Sequence, residues 1–388
     1  MPVLLYLLAL AVFAQGTSEF VLAGLLPALA ADLGVPLGQA GGLTSAYALG
    51  MVVGAPVMAA LARRLSPRWA LTAFLLLFVL AHVVGAVTDA FAVLLTTRVV
   101  AAVANAGFLA VALSTVAAVV PAERRARGLA VVLAGVTLAL VAGAPAGALL
   151  GGQLGWRATM WAIAAVSAPA LVAVAVGTPT RPAGDGAQPA RALDELAVLR
   201  RPRLQVTLAL AVLVNSATFG TLTFLAVLAT SRAGLPEALT PGLLAAFGVG
   251  AFGGVTAAGR LGDRYGRTAV GLGTPLLVVG WLAMVPGSTD GVAIWLLTAL
   301  LGALSFGVGS VLIARVMAQA DGAATLGGSF ATAALNVGAV AGPLLCGLAL
   351  ERAGAGAVPL TSAVASALAA LVWWLSARSG ARAEQVAG

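Results

Sequence analysis

Charge, cysteine and histidine are all scarce in this chain. Only 9% of its 388 residues are charged, against roughly 25% in an ordinary soluble domain. So little charge cannot coat a water-facing surface at this length, which excludes a soluble enzyme, a nucleic-acid binder and a disordered protein. A single cysteine, Cys346, excludes a disulfide framework and a thiolate metal site. A single histidine, His82, excludes a histidine-cluster metal site. No metal or cofactor is expected. Lysine is absent, so all 21 basic residues are arginine. With so much alanine, valine and glycine, that points to a GC-rich coding bias and says nothing of mechanism.

What is abundant is apolar surface, at 61% of residues. A membrane helix needs about 20 mostly apolar residues. Eleven uncharged stretches meet that length, beginning with Leu33–Ala62 and ending with Ala353–Ala377. A further one, Val3–Leu26, is interrupted by Glu19 and makes twelve. It lacks the basic start and cleavage site of a signal peptide. A β-barrel would show short alternating segments instead. The expectation is an all-α membrane protein whose main surroundings are the lipid bilayer.

The net charge of +8 is distributed unevenly. With the N-terminus inside, Arg63, Arg64, Arg68, Arg124, Arg125, Arg127, Arg260, Arg264, Arg267 and Arg315 all fall in inner loops. Arg157, Arg232 and Arg352 alone fall outside. Such asymmetry sets orientation and places both termini in the cytoplasm. Residues 177–203 are polar and rich in Pro and Gly. They read as a cytoplasmic linker between an N-terminal six-helix half (1–176) and a C-terminal one (204–388), with a short surface helix over Ala190–Leu199.

The halves repeat one another. At an offset of 200 residues, Gly42, Leu43, Ala46, Gly50 and Gly54 meet Gly242, Leu243, Ala246, Gly250 and Gly254. At an offset of 195, Thr137, Gly143, Gly147 and Arg157 meet Thr332, Gly338, Gly342 and Arg352. Parallel six-helix repeats are a transporter architecture, with substrate expected at the interface of the repeats. The paired small residues allow close helix contact.

Several motifs carry a family resemblance. Gly259-Arg-Leu-Gly-Asp-Arg-Tyr-Gly-Arg267, read as a loop between the eighth and ninth spans, resembles the signature loop of the major facilitator superfamily. Its first-half counterpart, Ala59-Ala-Leu-Ala-Arg-Arg-Leu-Ser-Pro-Arg68, departs from it, with Arg63 where the acidic residue would stand. Arg98, within LLTTRVVAAVANAG, resembles the buried arginine of proton-driven members, and Gly143-Ala-Pro-Ala-Gly147 resembles the antiporter motif. The opening AQGTSEFVLAGLLPALAADLGV and the later LGGSFATAALNVGA are similar to the drug and sugar efflux branch, and most of all to its chloramphenicol-resistance exporters. The resemblance implies the twelve-helix major facilitator fold, a monomer in the cell membrane, a small-molecule drug substrate and protons as the coupling ion.

Two charges lie within spans. By a rise of about 1.5 Å per residue, Glu19 sits ~24 Å along the first span and Arg98 ~10 Å from the outer face. Both then occupy the outer half of a core about 30 Å thick. Burial of a carboxyl favours its protonated form and a nearby arginine favours the carboxylate. Glu19 is therefore a candidate proton site with Arg98 as its bias, or else half of a static ion pair. Other in-span polar residues are Gln15, Tyr47, Asn105, Asn215 and Asn336, each able to bond a neighbouring helix or to face a substrate cavity. Phe219 and Phe224 could offer aromatic surface to a drug or simply pack. His82 reads as a packing residue of the third span. Gly259, Asp263, Arg264, Gly266 and Arg267 read as an inner latch. Efflux of a sugar or other polar metabolite is the alternative, although the spans supply few hydrogen-bonding side chains for it. A membrane enzyme lacks a catalytic set here, and a channel lacks charge rings or a filter loop.

The arginine asymmetry makes a direct prediction. A cysteine at Ala187, in a Cys346→Ala background, should react with impermeant thiol reagents only from the cytoplasmic side. Labelling of intact cells from outside would invert the orientation.

Overall fold

A computed structural model describes residues 3–62, 66–178, 197–320 and 327–387. The order is α1 (Val3–Phe20), α2 (Leu22–Leu33), α3 (Leu37–Ala62), α4 (Pro67–Val87), α5 (Phe91–Val119), α6 (Ala122–Leu138), α7 (Ala144–Leu154) and α8 (Trp156–Gly177), then α9 (Pro202–Thr223), α10 (Leu225–Ser231), α11 (Thr240–Gly287), α12 (Ala293–Gln319), α13 (Gly327–Ala353) and α14 (Ala357–Ala387). Among the described residues, ten helices are long and apolar enough to cross a membrane, and the bent pair α1–α2 makes eleven. The 26-residue α3 occupies the expected second span. The chain divides into two compact units, Met1–Gln188 with Pro236–Ala245, and Pro189–Leu235 with Ala246–Gly388.

The first unit has a continuous apolar core in which Leu8, Leu22, Leu29, Leu43, Phe78 and Phe108 are fully buried. Large apolar side chains also cover its outside: Trp69, Leu80, Val172 and Val176 are all half or more exposed. A surface of that kind is a liability in water and the required one in lipid.

The first span is not one straight helix. It bends by 53° between Phe20 and Leu22. Pro27, further along in α2, has no N–H to give to the carbonyl of Ala23. The Gly24 N–H turns instead to Val21 O, at 3.0 Å. In the second unit the break between α9 and α10 repeats this without a proline. There the Phe224 N–H donates to Thr221 O at 3.1 Å, 200 residues further on. Gly34 and Gly234, also 200 apart, both follow their helices in the left-handed region at φ 64° and 62°.

Glycine contacts carry the same symmetry. Gly50 and Gly54 of α3 lie against Val99 and Val103 of α5, and Gly250 and Gly254 of α11 lie against Ala299 and Ala303 of α12. At each, a methyl group would meet neighbouring backbone at less than 3 Å, so only glycine fits this close approach.

Four segments bear on the sequence reading. The signature segment Gly259–Arg267 is helical throughout and lies inside α11. The chain still reverses there. Gly250 and Gly280 of α11 approach Ala299 and Leu301 of α12, side by side, although a straight helix would hold them ~45 Å apart. Neither Gly259 nor Gly266 uses the left-handed region, so the turn is made from helical backbone. Second, residues 190–196 lie outside the described residues, and Ala197–Arg200 is a 3₁₀ turn. Val198 is buried against Leu204, Val316 and Ala331, so this turn is anchored.

Third, the fifth span contains a five-residue π-helical turn, Ala139–Gly143, between α6 and α7. Pro145 follows immediately and cannot donate to the preceding turn. Fourth, the repeat offset of 195 is wrong in the fifth and eleventh spans. Val120 and Ala320, 200 apart, cap α5 and α12 alike. Gly155 and Gly354, at φ 84° and 79°, end α7 and α13 at an offset of 199. A π turn is a one-residue insertion in a helix, and one residue is the amount lost. Arg352 therefore lies inside α13, while Arg157 opens α8.

Replacing Gly250 by valine should force α11 off α12, at a cost of about 1–3 kcal/mol for overpacking. A lower melting temperature in detergent would show it. An unchanged melting temperature would mean the approach is looser than described.

Candidate functional site

The first unit gathers its polar side chains around Arg98. This residue is 2% exposed on α5, in a segment otherwise uncharged. A cation so placed costs about 2.5–3.5 kcal/mol even on a lenient scale, and needs acceptors. Ser18, in the last turn of α1, provides two. Arg98 Nη1 donates to Ser18 Oγ at 2.7 Å, and Nη2 donates to Ser18 O at 2.6 Å. Carbonyls of a helix's last turn lack intrahelical partners, and the bend at Val21 leaves Ser18 in that position. Tyr47 of α3 lies under the guanidinium, 4.4 Å from ring centroid to Cζ, a favourable cation–π distance. The Tyr47 hydroxyl accepts from Asn105 Nδ2 at 2.9 Å and faces Gln15 O at 3.4 Å.

His82 of α4 completes the network. Its Nε2 lies 2.7 Å from Ser18 Oγ and its Nδ1 lies 2.8 Å from Phe78 O. A packing role alone does not describe it. Nothing in the sequence singles out Ser18. For His82 there is a signal, a lone histidine within an apolar span, since ionisable groups in membranes are functional by default.

Glu19 is half-buried, next to Ser18 on α1. Arg98 is the charged group that acts on it, yet no ion pair joins them: both ion pairs among the described residues belong to Arg157. The static-pair reading is corrected accordingly. Arg98 is held by Ser18 and Tyr47 instead. Both amide atoms of Gln15, buried one turn before Glu19, meet no protein partner.

The remaining candidates divide. Gly143 and Gly147 pack on Thr17 and Val21, next to Glu19's turn. In the second unit, Asn215 Nδ2 donates to Leu335 O at 2.6 Å and Asn336 Nδ2 to Thr332 O at 3.0 Å, so each amide gives a donor to the backbone. Phe219 and Phe224 are buried, Phe224 completely. Arg267 is exposed and Gly266 touches Val311. The side chains of Asp263 and Arg264 lie outside the described residues. Arg63 does too.

A separate clasp closes the opposite end of the first unit from its N-terminus. Arg157 pairs with Asp32 of α2 and with Asp89, donates to Thr88 O at 3.2 Å, and stacks on Trp156. Trp156 Nε1 donates to Asp32 as well, at 3.0 Å. Asp290, between α11 and α12, accepts the Ala293 and Val292 N–H groups, which hold its carboxyl below the usual carboxylate range.

Repeated bundles of apolar helices with a charged residue gripped inside one of them define a membrane transporter of the repeat type. The chain belongs to the Major Facilitator Superfamily, whose family model matches residues 8–334. It is 52% identical over 377 residues to a chloramphenicol resistance protein of Streptomyces lividans, covering 96% of this chain and 95% of that protein. It is 32% identical over 379 residues to the inner membrane transport protein YdhP of Escherichia coli K12, covering 96% and 95%. Among solved structures, a bacterial homolog of the human lysosomal transporter Spinster matches with a TM-score of 0.76 at 16% identity, covering 97% of this chain and 96% of that one. The nucleoside transporter NupG matches with a TM-score of 0.78 at 14% identity, covering 96% and 98%. These two show the shared fold.

The clasp geometry predicts unequal roles for two arginines that an offset of 195 would pair. Arg157→Gln should lower the melting temperature by a few degrees, on the order of 1 kcal/mol for half-exposed pairs. Arg352→Gln should leave it near the parent's. Equal losses would restore the pairing.

Proposed function

We propose that this chain is a proton-coupled exporter of a small amphiphilic drug, chloramphenicol or a relative, working by alternating access as a monomer in the cell membrane. Both termini and the linker 177–203 are cytoplasmic in this reading. The identity of 52% along nearly the whole chain to a chloramphenicol resistance protein carries the substrate assignment. The donors that Asn215 and Asn336 give to backbone carbonyls weigh in the same direction, because a sugar needs many free donors and acceptors while a neutral amphiphile needs few.

The arrangement around Glu19 supports the coupling. A carboxyl in a low-dielectric span, beside a fixed cation but not paired with it, is subject to opposed influences. A change in its hydration as the site opens to either side then decides whether the proton is held. Arg98 remains charged throughout, since a guanidinium does not deprotonate in proteins. Its fixed charge supplies the constant part of the balance and Glu19 the variable part. Thr17 and Val21 place Glu19's turn against Gly143 and Gly147, so a movement of the fifth span is felt directly at the proton site.

Glu19→Gln keeps the side chain's shape and removes its proton. Because Arg98 is bonded to Ser18 and not to Glu19, the variant strands no cation, and its melting temperature should stay close to the parent's. In vesicles with an imposed pH gradient it should bind drug but fail to concentrate it. A stable Glu19→Gln protein that concentrates drug at the parental rate would remove Glu19 from coupling.

A further inference from the structure

A cation and a carboxylate in one apolar region attract strongly, yet Arg98 and Glu19 remain apart. The direction of each hydrogen bond around Ser18 explains why. Phe78 O can only accept, so His82 Nδ1 carries the hydrogen that reaches it. The neutral ring then has a lone pair at Nε2, and the Ser18 hydroxyl donates to it. With its hydrogen so used, Ser18 Oγ presents lone pairs to Arg98 Nη1, while the carbonyl of the same residue takes Nη2. The chain of donors therefore runs Arg98 to Ser18 to His82, and from His82 to Phe78. Each group has the polarity its neighbour requires. Were the Ser18 hydroxyl not drawn toward His82, its hydrogen could point at the guanidinium instead.

Adjacent residues on a helix do not face each other. A guanidinium gripped on the Ser18 face of α1 is thus kept from the Glu19 face. We propose that Ser18 and His82 are positioning residues that hold Arg98 off Glu19 and leave the carboxyl free to exchange its proton. This inference rests on the coupling role given to Glu19 above.

Among the described residues, the charged and titratable surroundings of His82 are few. Arg98 on α5 is the charge that acts on it, and Tyr47 on α3 and Glu19 on α1 act in turn on Arg98. The α8 helix, also packed on α4, has Arg157 as its one charged residue, and that is bound to Asp32 and Asp89. On α4 itself, Arg68 lies at the opposite end, beside Trp69.

Ser18→Ala removes the hydroxyl with little change of volume, and His82→Leu removes the acceptor behind it. Each should let Arg98 swing toward Glu19. The pH midpoint of gradient-driven drug transport in reconstituted vesicles should then move toward acid by about one unit, the scale of a newly formed close charge pair. His82→Gln places an amide oxygen near the position of Nε2 and should return the midpoint toward the parent's. Glu19→Gln in the same assay separates the two ideas. If the parent ignores the pH gradient, or Glu19→Gln concentrates drug normally, the coupling role fails and this inference fails with it. If both behave as that role requires and the Ser18→Ala midpoint stays at the parent's, the positioning role alone is overturned. A fall in melting temperature with no shift of midpoint overturns it equally, since that is the mark of a merely structural contact.

Discussion

Burial of one guanidinium governs the first unit. Arg98 is surrounded by apolar helices and has to be solvated by protein. The acceptors come from a serine hydroxyl, a backbone carbonyl released at a helix bend, and a tyrosine ring. Each requirement reaches into the backbone. The last carbonyls of α1 are exposed by the bend at Val21. The serine must sit at the bend, and the helices α3, α4 and α5 must approach closely enough to bring Tyr47, His82 and Arg98 to one place. Gly50 and Gly54 permit the α3–α5 part of that approach.

The two units show which of these constraints belong to the fold and which to the chemistry. The glycine contacts of α3 on α5 recur between α11 and α12, and the broken first span recurs as α9–α10. Those are features of the repeat. The position equivalent to Arg98, at the same offset of 200, is Thr298, and that equivalent to Glu19 is Phe219. The second unit keeps the scaffold without the ion-binding chemistry. Its polar groups near the broken helix form a neutral cluster instead: Thr221 Oγ1 lies 2.7 Å from Ser362 Oγ, which donates to Ala217 O at 2.8 Å.

Much of this arrangement is legible in the amino-acid sequence. Hydropathy marks the spans, and orientation can be argued from arginine alone. The repeat at 200 residues and the in-span pair Glu19 and Arg98 are plain there too. The partners of Arg98 are not, because Ser18, Tyr47 and His82 lie on three different helices and no local pattern links them. The three glycines of the signature segment suggest a loop, yet glycine also tolerates helical backbone, and the chain turns there without leaving it. The repeat offset is the most instructive case. An offset of 195 differs from 199 by four residues, about one helical turn. A slip of one turn keeps the same face forward, so the small residues still align and the error is invisible in a glycine pattern.

The corrected register also explains the clasps. Position 32, an aspartate in the first unit, is matched at 232 by an arginine. Thr88, whose carbonyl receives Arg157, is matched at 288 by Ser288, whose hydroxyl receives Arg232 Nε at 2.8 Å. Arg157 itself is matched, at 199, by Gly356, and the Arg232 guanidinium lies against that glycine. Arg232 Nη2 also donates to Val285 O, at 2.8 Å. Both units therefore tie the end of their broken span to the next loops with a single guanidinium, but the arginine has changed sides. In the first unit it comes from α8 and meets carboxylates. In the second it comes from the end of α10 and meets a hydroxyl and a carbonyl, and a glycine vacates the place of its counterpart. What the fold requires at that corner is one cation with acceptors around it. Which helix supplies the cation is free to vary, provided the opposing position becomes small. A residue-by-residue comparison of the halves would score the corner as unrelated, although its physical arrangement is retained.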